Sequence, residues 1–206
     1  MNTMDKMKER PILFSGAMVR AILNGKKTQT RRVIKNQKLG YGAPKSFAAY
    51  EVETSNGAIL FGFENDDNTW ICPYGKVGDR LWVRETFGHN GCMNCHTHYK
   101  ADEPNWKDKS QNPIARWYPS IHMPRWASRI TLQITGIRVE RLCSITNADA
   151  HHEGVDPIPE YGSSSGATPS VVWNYRDPFF NLWKEIHGKE SLKINPWVWV
   201  IDFKVV

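Results

Sequence analysis

The run Trp197-Val-Trp-Val-Ile-Asp-Phe-Lys-Val205 is apolar at all but two positions, with Trp197, Trp199, Ile201, Phe203 and Val205 on one side of a two-residue period. Such a stretch is a strand that must be covered, and its place at the C-terminal end predicts that it closes a barrel. A second long strand, Arg129 to Leu142, alternates Ile130, Leu132 and Ile134 against Thr131, Gln133 and Thr135. After Gly136 it sets Ile137, Val139 and Arg141 against Arg138 and Glu140. Leu81 to Phe87 repeats the pattern, with Leu81, Val83 and Glu85 opposite Trp82, Arg84 and Thr86. Shorter strand pieces at 49–53 and 58–61 flank Ser55-Asn56-Gly57, a hairpin signal, and Thr69 to Cys72 follows as another.

Three helices punctuate these strands. Pro11 to Phe14 is a short apolar run, after which Ser15 caps a helix carrying Met18, Val19, Ile22 and Leu23, with Gly25 at its C′ position. Thr146 caps a short helix with Asp149 in the capping-box position and Gly154 at C′, which leaves Glu153 in its last turn, where a carboxylate opposes the helix dipole. Asp177-Pro178 opens a third, with Phe179, Phe180, Trp183 and Ile186 as a core stripe and Gly188 as its stop. Many short strands with a few interspersed helices predict an α+β fold, a small mixed β-barrel with helices at its rim.

At 206 residues, 40% hydrophobic, the chain suits one domain. Segments of poor periodicity at about 36–68, 88–119 and 155–175 are read as inserts; the second is a long loop able to act as a lid, and the third, with Gly162-Ser-Ser-Ser-Gly166, a flexible loop. No apolar run approaches the roughly 20 residues of a membrane span, and the polar first ten residues do not read as a signal peptide. The expectation is a cytoplasmic protein with no membrane partner, whose Cys72, Cys92, Cys95 and Cys143 are reduced thiols or metal ligands.

A net charge of +6 favours polyanionic partners without the dense basic runs of a duplex binder. Nine tryptophans can fill a core or stack on bases. The densest chemistry is Asn24-Gly-Lys-Lys-Thr-Gln-Thr-Arg-Arg32, a turn followed by a strand that sends Thr28, Thr30 and Arg32 to one face and Gln29 and Arg31 to the other. A basic turn of this kind is also what a solvated surface looks like. Between Trp117 and Trp126, two prolines stiffen a rim segment that presents His122, Arg125 and Trp126, either as a wall for a base and its phosphate or as packing. Cys92-Met-Asn-Cys95, with His96 and His98 close behind, has half of a tetrahedral zinc site, so a structural zinc and an unmetallated polar loop both stand.

Gly25, Lys27, Thr30 and Arg32 reproduce the G-x-K-x-x-T-x-R signature of the ASCH-domain family, and the chain resembles its larger phage and prophage members. The phrases Arg10 to Gly16, Gly78 to Thr86, Ile121 to Arg129 and Asn195 to Val200 carry the rest of the likeness, in order. The resemblance implies a PUA-like mixed β-barrel in which the signature turn and the short helix ending at Glu153 face one cleft. It implies, by analogy with the small amidohydrolases that deacylate N4-acetylcytidine, Thr30 as nucleophile, Lys27 as its base and Glu153 as proton donor. Lys26, Arg31 and Arg32 would supply a cationic neighbourhood that lowers the Lys27 pKa, and Arg32 would orient substrate or the carboxylate. No cofactor is required by that chemistry. The alternative from the same residues is a non-catalytic module that binds single-stranded RNA or a modified nucleotide, with Lys26, Arg31, Arg32 and Arg125 on phosphates and Trp126 stacking on a base.

Overall fold

In the computed structural model, which describes residues 7–35, 52–53, 59–62, 69–88, 97–102, 116–161 and 171–206, β1 (Glu9–Leu13) leads into α1 (Gly16–Leu23). The Ser15 hydroxyl accepts the Met18 N–H at 3.4 Å, and Gly25, at φ +70°, turns the chain into β2 (Gln29–Val33). β3 (Val52–Glu53), β4 (Ile59–Gly62) and β5 (Thr69–Ile71) form an antiparallel sheet, and the Glu53↔Ile59 pairing matches the expected hairpin. β6 (Arg80–Arg84) follows, then a small sheet of β7 (Phe87–Gly88), β8 (His98–Tyr99) and β9 (Trp117–Tyr118), built from the flanks of the 88–119 segment. Two single 3-10 turns, Ser120–His122 and Arg125–Ala127, precede β10 (Thr131–Arg141) and α2 (Asn147–His152). β11 (Ile158–Tyr161), β12 (Val171–Asn174), α3 (Arg176–His187), α4 (Glu190–Ile194) and β13 (Trp197–Val205) complete the chain.

The main sheet has the order β1-β6-β10-β13-β2, with β1 and β6 parallel and the other neighbours antiparallel. The fold is α+β. Among the described residues β1 and β2 end the main sheet without pairing to each other, so no closed barrel is found, and the expected closing strand β13 lies inside the sheet between β10 and β2. β1 and β2 are its two edges, and what joins them is a side chain, Arg32 Nη2 donating to the Leu13 carbonyl at 2.6 Å, in place of a backbone ladder.

β13 is buried on both faces, which is why it reads as continuously apolar. Trp199, Ile201 and Phe203 join Ile12, Val19, Leu81, Leu132 and Ile134 in one core, while Val198 and Val200 face a second core of Leu142, Ile145, Ala150, Phe179 and Trp183. β10 keeps its inward side only because its register against β13 shifts between Ile134 and Gly136, after which Ile137 and Val139 pack on the first core.

Three expectations are revised. The 155–175 segment contains β11 and β12, paired antiparallel with Tyr161 opposite Val171, because Val171 to Trp173 is a strand-forming run that finds Ile158 to Tyr161 beside it, while the expected flexible stretch Gly162-Ser-Ser-Ser-Gly166 lies outside the described residues. α3 begins at Arg176 with Tyr175 at the N-cap position, so Asp177 lies inside the first turn and is not the cap; its N–H donates to Asn174 Oδ1, just before the helix, at 3.1 Å. Ile186, expected in the core stripe, is 53% exposed, because the turn of α3 that carries it runs past the second core. Among the described residues, no helix is long and apolar enough to cross a membrane.

Candidate active site

Two helix ends meet beside the β2 edge. At the end of α1 the Lys26 and Lys27 amides both reach the Ala21 carbonyl, at 2.9 and 3.0 Å, and the Thr28 N–H donates to the His152 carbonyl at 2.9 Å. That last bond pins the signature turn to the C-terminal end of α2. There the Thr146 cap holds the helix start, Glu153 is the C-cap residue and Gly154 leaves in the left-handed region at φ +80°. Lys27 Nζ therefore donates to Glu153 Oε2 at 2.7 Å and to the Glu153 carbonyl at 2.8 Å, with the Lys27 side chain fully buried and that of Glu153 6% exposed.

Arg31 Nη1 fills the other carboxylate oxygen, Oε1, at 3.1 Å. Its Nη2 donates to Glu140 Oε2 at 3.1 Å and lies 3.6 Å from Asp149 Oδ2. Gln29 Nε2 donates to Asp149 Oδ1 at 3.1 Å and to Asp202 Oδ1 at 2.6 Å, and Arg138 bridges Glu140, Asp149 and Asp202 at 2.6 to 2.9 Å. A buried network satisfied on so many sides holds Arg31, and through it Glu153, in one geometry. Burial pushes the Lys27 ammonium below the ordinary lysine range, against the pull of Glu153, and the charges of Arg32 and Arg31 add smaller pushes in the same direction.

Lys27, Thr30, Arg31, Arg32 and Glu153 line one side of a cleft of roughly 490 Å³, open solvent included. Met18 of α1 and Phe179, Leu182, Trp183, Ile186 and His187 of α3 line the other. Among the described residues β2 is an edge strand paired to β13, and side chains from both of its faces, Thr30 and Arg32 on one and Arg31 on the other, line the cleft. Thr30 and Arg32 sit opposite Ile201 and Trp199 on the first core's side, and Arg31 sits opposite Val200 on the second's, which is the alternation expected of the strand.

Other anticipated site residues go elsewhere. Lys26 is exposed and pairs with Asp156 at 2.9 Å, so it is no part of the Lys27 neighbourhood. Arg31 binds Glu153 and Glu140 and serves the carboxylate instead of a phosphate. Arg125 pairs with Glu9 at 3.0 Å at the β1 edge, and Trp126, 67% exposed, is beside it in sequence; neither lines the cleft. Cys92, Cys95 and His96 lie outside the described residues, and His98 is half-buried in β8. Among the described residues no three His, Cys, Asp or Glu side chains are grouped to hold a metal.

Sequence reasoning missed the carboxylates of the network and the α3 wall. Asp202 is a polar interruption of an otherwise apolar strand, a signal that could have marked it, whereas Glu140 is one of several polar residues of the alternating β10 and His187 carries no local signal. Comparison of the chain with family models, with curated proteins and with solved structures finds no match.

Proposed function

We propose that this chain is an amidohydrolase that removes the acyl group from an N4-acylated cytosine nucleoside or a related modified base, in the manner of the ASCH proteins that its signature resembles. The observation that carries this reading is that Lys27 and Thr30 of the signature turn share one cleft with Glu153, 126 residues beyond Lys27, with Lys27 buried and hydrogen-bonded to Glu153.

The Lys27–Glu153 pair shares one proton that can lie on either partner. Shifted along the 2.7 Å hydrogen bond from Nζ to Oε2, it leaves a neutral amine and a carboxylic acid, a base and an acid side by side. The amine takes the Thr30 hydroxyl proton as Oγ1 attacks the acyl carbon. The C–N bond then breaks, and the exocyclic nitrogen leaves with the Glu153 proton, which returns the pair to ammonium and carboxylate. A water repeats the sequence on the threonine ester: Lys27 takes its proton, Glu153 returns one to Thr30, and the carboxylic acid departs. Arg31 keeps its charge throughout and holds Oε1 in place. Burial favours the neutral amine of Lys27.

The second reading is a non-catalytic module for a modified nucleotide or single-stranded RNA, favoured by one observation: both Glu153 oxygens already accept hydrogen bonds from protein cations. Ultraviolet absorbance of a panel of N4-acylated cytidines and cytosines incubated with the folded protein separates the two. Cleavage that disappears in Thr30→Ala supports the hydrolase; binding of the panel without cleavage supports the module.

A further inference from the structure

Arg32 is the cation of the cleft that its neighbours leave uncompensated. Lys27 is paired with Glu153, and Arg31 with Glu153 and Glu140. Among the described residues Arg32 makes no ion pair. Its hydrogen bond runs from Nη2 to a neutral carbonyl, that of Leu13, and its guanidinium lies over the Phe14 ring, 5.2 Å from the centroid. The buried Nε has no partner. Glu153, the carboxylate of the cleft, has both oxygens engaged by other cations and cannot serve as a contact counter-ion.

Holding a half-buried guanidinium without a counter-ion is unfavourable, and nothing in the packing requires a charge at this position, since the Phe14 ring would accept an apolar neighbour as readily. Two further buried donors without partners belong to cleft-lining residues, Arg31 Nε on β2 and Trp183 Nε1 in the facing wall. His187, its ring 4.2 Å from that of Trp183, lines the same part of the cleft and lies within the field of Arg32. The region between β2 and the end of α3 thus offers N–H donors and an imidazole, with no free carboxylate beside them. An acceptor-rich, negatively charged group fits that chemistry.

We propose that this part of the cleft is an oxyanion subsite, and that the preferred ligand is a phosphorylated nucleoside whose phosphate is held by Arg32. A guanidinium whose Nε finds no partner in the protein, and whose Nη2 meets a neutral carbonyl, keeps donors for the fork that phosphate oxygens match. The nucleoside half of the assignment rests on the amidohydrolase reading; the oxyanion subsite rests on the residues around Arg32.

The test is calorimetric titration of the full chain with cytidine, with cytidine 5′-monophosphate, and with inorganic phosphate or acetate as competitors. None of these carries an acyl group, so the result is independent of whether any amide is cleaved. The monophosphate should bind about tenfold tighter than cytidine, with an advantage that shrinks as salt is raised. Phosphate should displace it and acetate should not. Arg32→Gln should bring the monophosphate down to the cytidine level, and Arg32→Lys should restore part of the difference, which a merely structural role for Arg32 would not produce. Equal affinity for cytidine and its monophosphate in the native chain, a difference unaffected by salt, or displacement by acetate alone overturns the proposal, and none of these outcomes requires a variant to fold.

Discussion

Gly154 lies directly against Lys27: a Cβ built on Gly154 would stand 2.7 Å from the Lys27 Cβ and 2.9 Å from that of Ala21. The close approach of the α2 end to the α1 end, which brings Glu153 to the Lys27 amine, therefore depends on a residue with no side chain.

Gly154→Ala should accordingly damage the site without removing any polar group. The φ of +80° alone costs a non-glycine residue about 1 to 2 kcal/mol, and forcing the two helix ends apart adds about 1 to 3 kcal/mol. Urea denaturation should show a loss in that combined range, and cleavage of an N4-acylcytidine should fall with it. Unchanged stability would mean that the helix ends separate freely and that the Lys27–Glu153 contact is not held by this packing.

Thr30→Ala should abolish turnover while the near-ultraviolet circular dichroism stays native, since the hydroxyl is the attacking atom. Glu153→Gln keeps the shape of the side chain but removes the acid, and should lower kcat about 10²- to 10⁴-fold. Full activity in Thr30→Ala would exclude it as nucleophile.

The pH profile should distinguish a shared proton from a simple neutral base. In the native pair the active form retains one proton, so kcat/KM should fall as pH rises through the Lys27 ionisation. Burial sets that ionisation below the ordinary lysine value of about 10.4. In Glu153→Gln no acid remains to share, only the neutral amine can act, and the residual rate should rise with pH, over a range moved lower because the pull of Glu153 on the Lys27 proton is gone. Profiles of the same sign in both proteins would argue against transfer along the Lys27–Glu153 hydrogen bond.

A separate buried acid should govern stability. Glu85 is held by Arg129 through Nε at 2.9 Å and Nη2 at 3.1 Å, and Arg129 also chelates Asp102 at 2.6 and 2.8 Å. Burial lifts the Glu85 carboxyl above its ordinary value, outweighing Arg129. Arg129→Ala strands this carboxylate and should cost about 3 kcal/mol at pH 7. A raised folded-state value means that the folded chain binds more protons than the unfolded one. That stabilising contribution is complete below the unfolded glutamate value and is lost as pH rises through the folded one. The deficit of Arg129→Ala should thus shrink between pH 7 and pH 5 in urea titrations, and Glu85→Gln in the same background should remove its pH dependence.

The elements of the site were legible where their causes are local. Ser15 and Gly25 bracket α1, and Thr146 and Gly154 bracket α2, because caps act within four residues and each leaves its own signal. Leu81, Val83 and Glu85 show their common face by a period of two, and all three are buried. The same alternation assigned Thr30 and Arg31 to opposite sides of β2.

What those pieces meet was decided by the tertiary structure. Lys27 and Glu153 are 126 residues apart, and only the Thr28–His152 backbone bond and the bare Cα of Gly154 bring them together. The apolar run of β13 specifies burial on both faces but is silent on which strands flank it; pairing with β10 and β2 made that choice. Arg125 and Arg31 look alike as sequence, yet one finds Glu9 on an exposed edge and the other a buried set of carboxylates. Periodicity and capping are short-range and act wherever the residues fall, whereas the partner of a charge depends on which distant strand arrives beside it, and that is settled only when the whole sheet has formed.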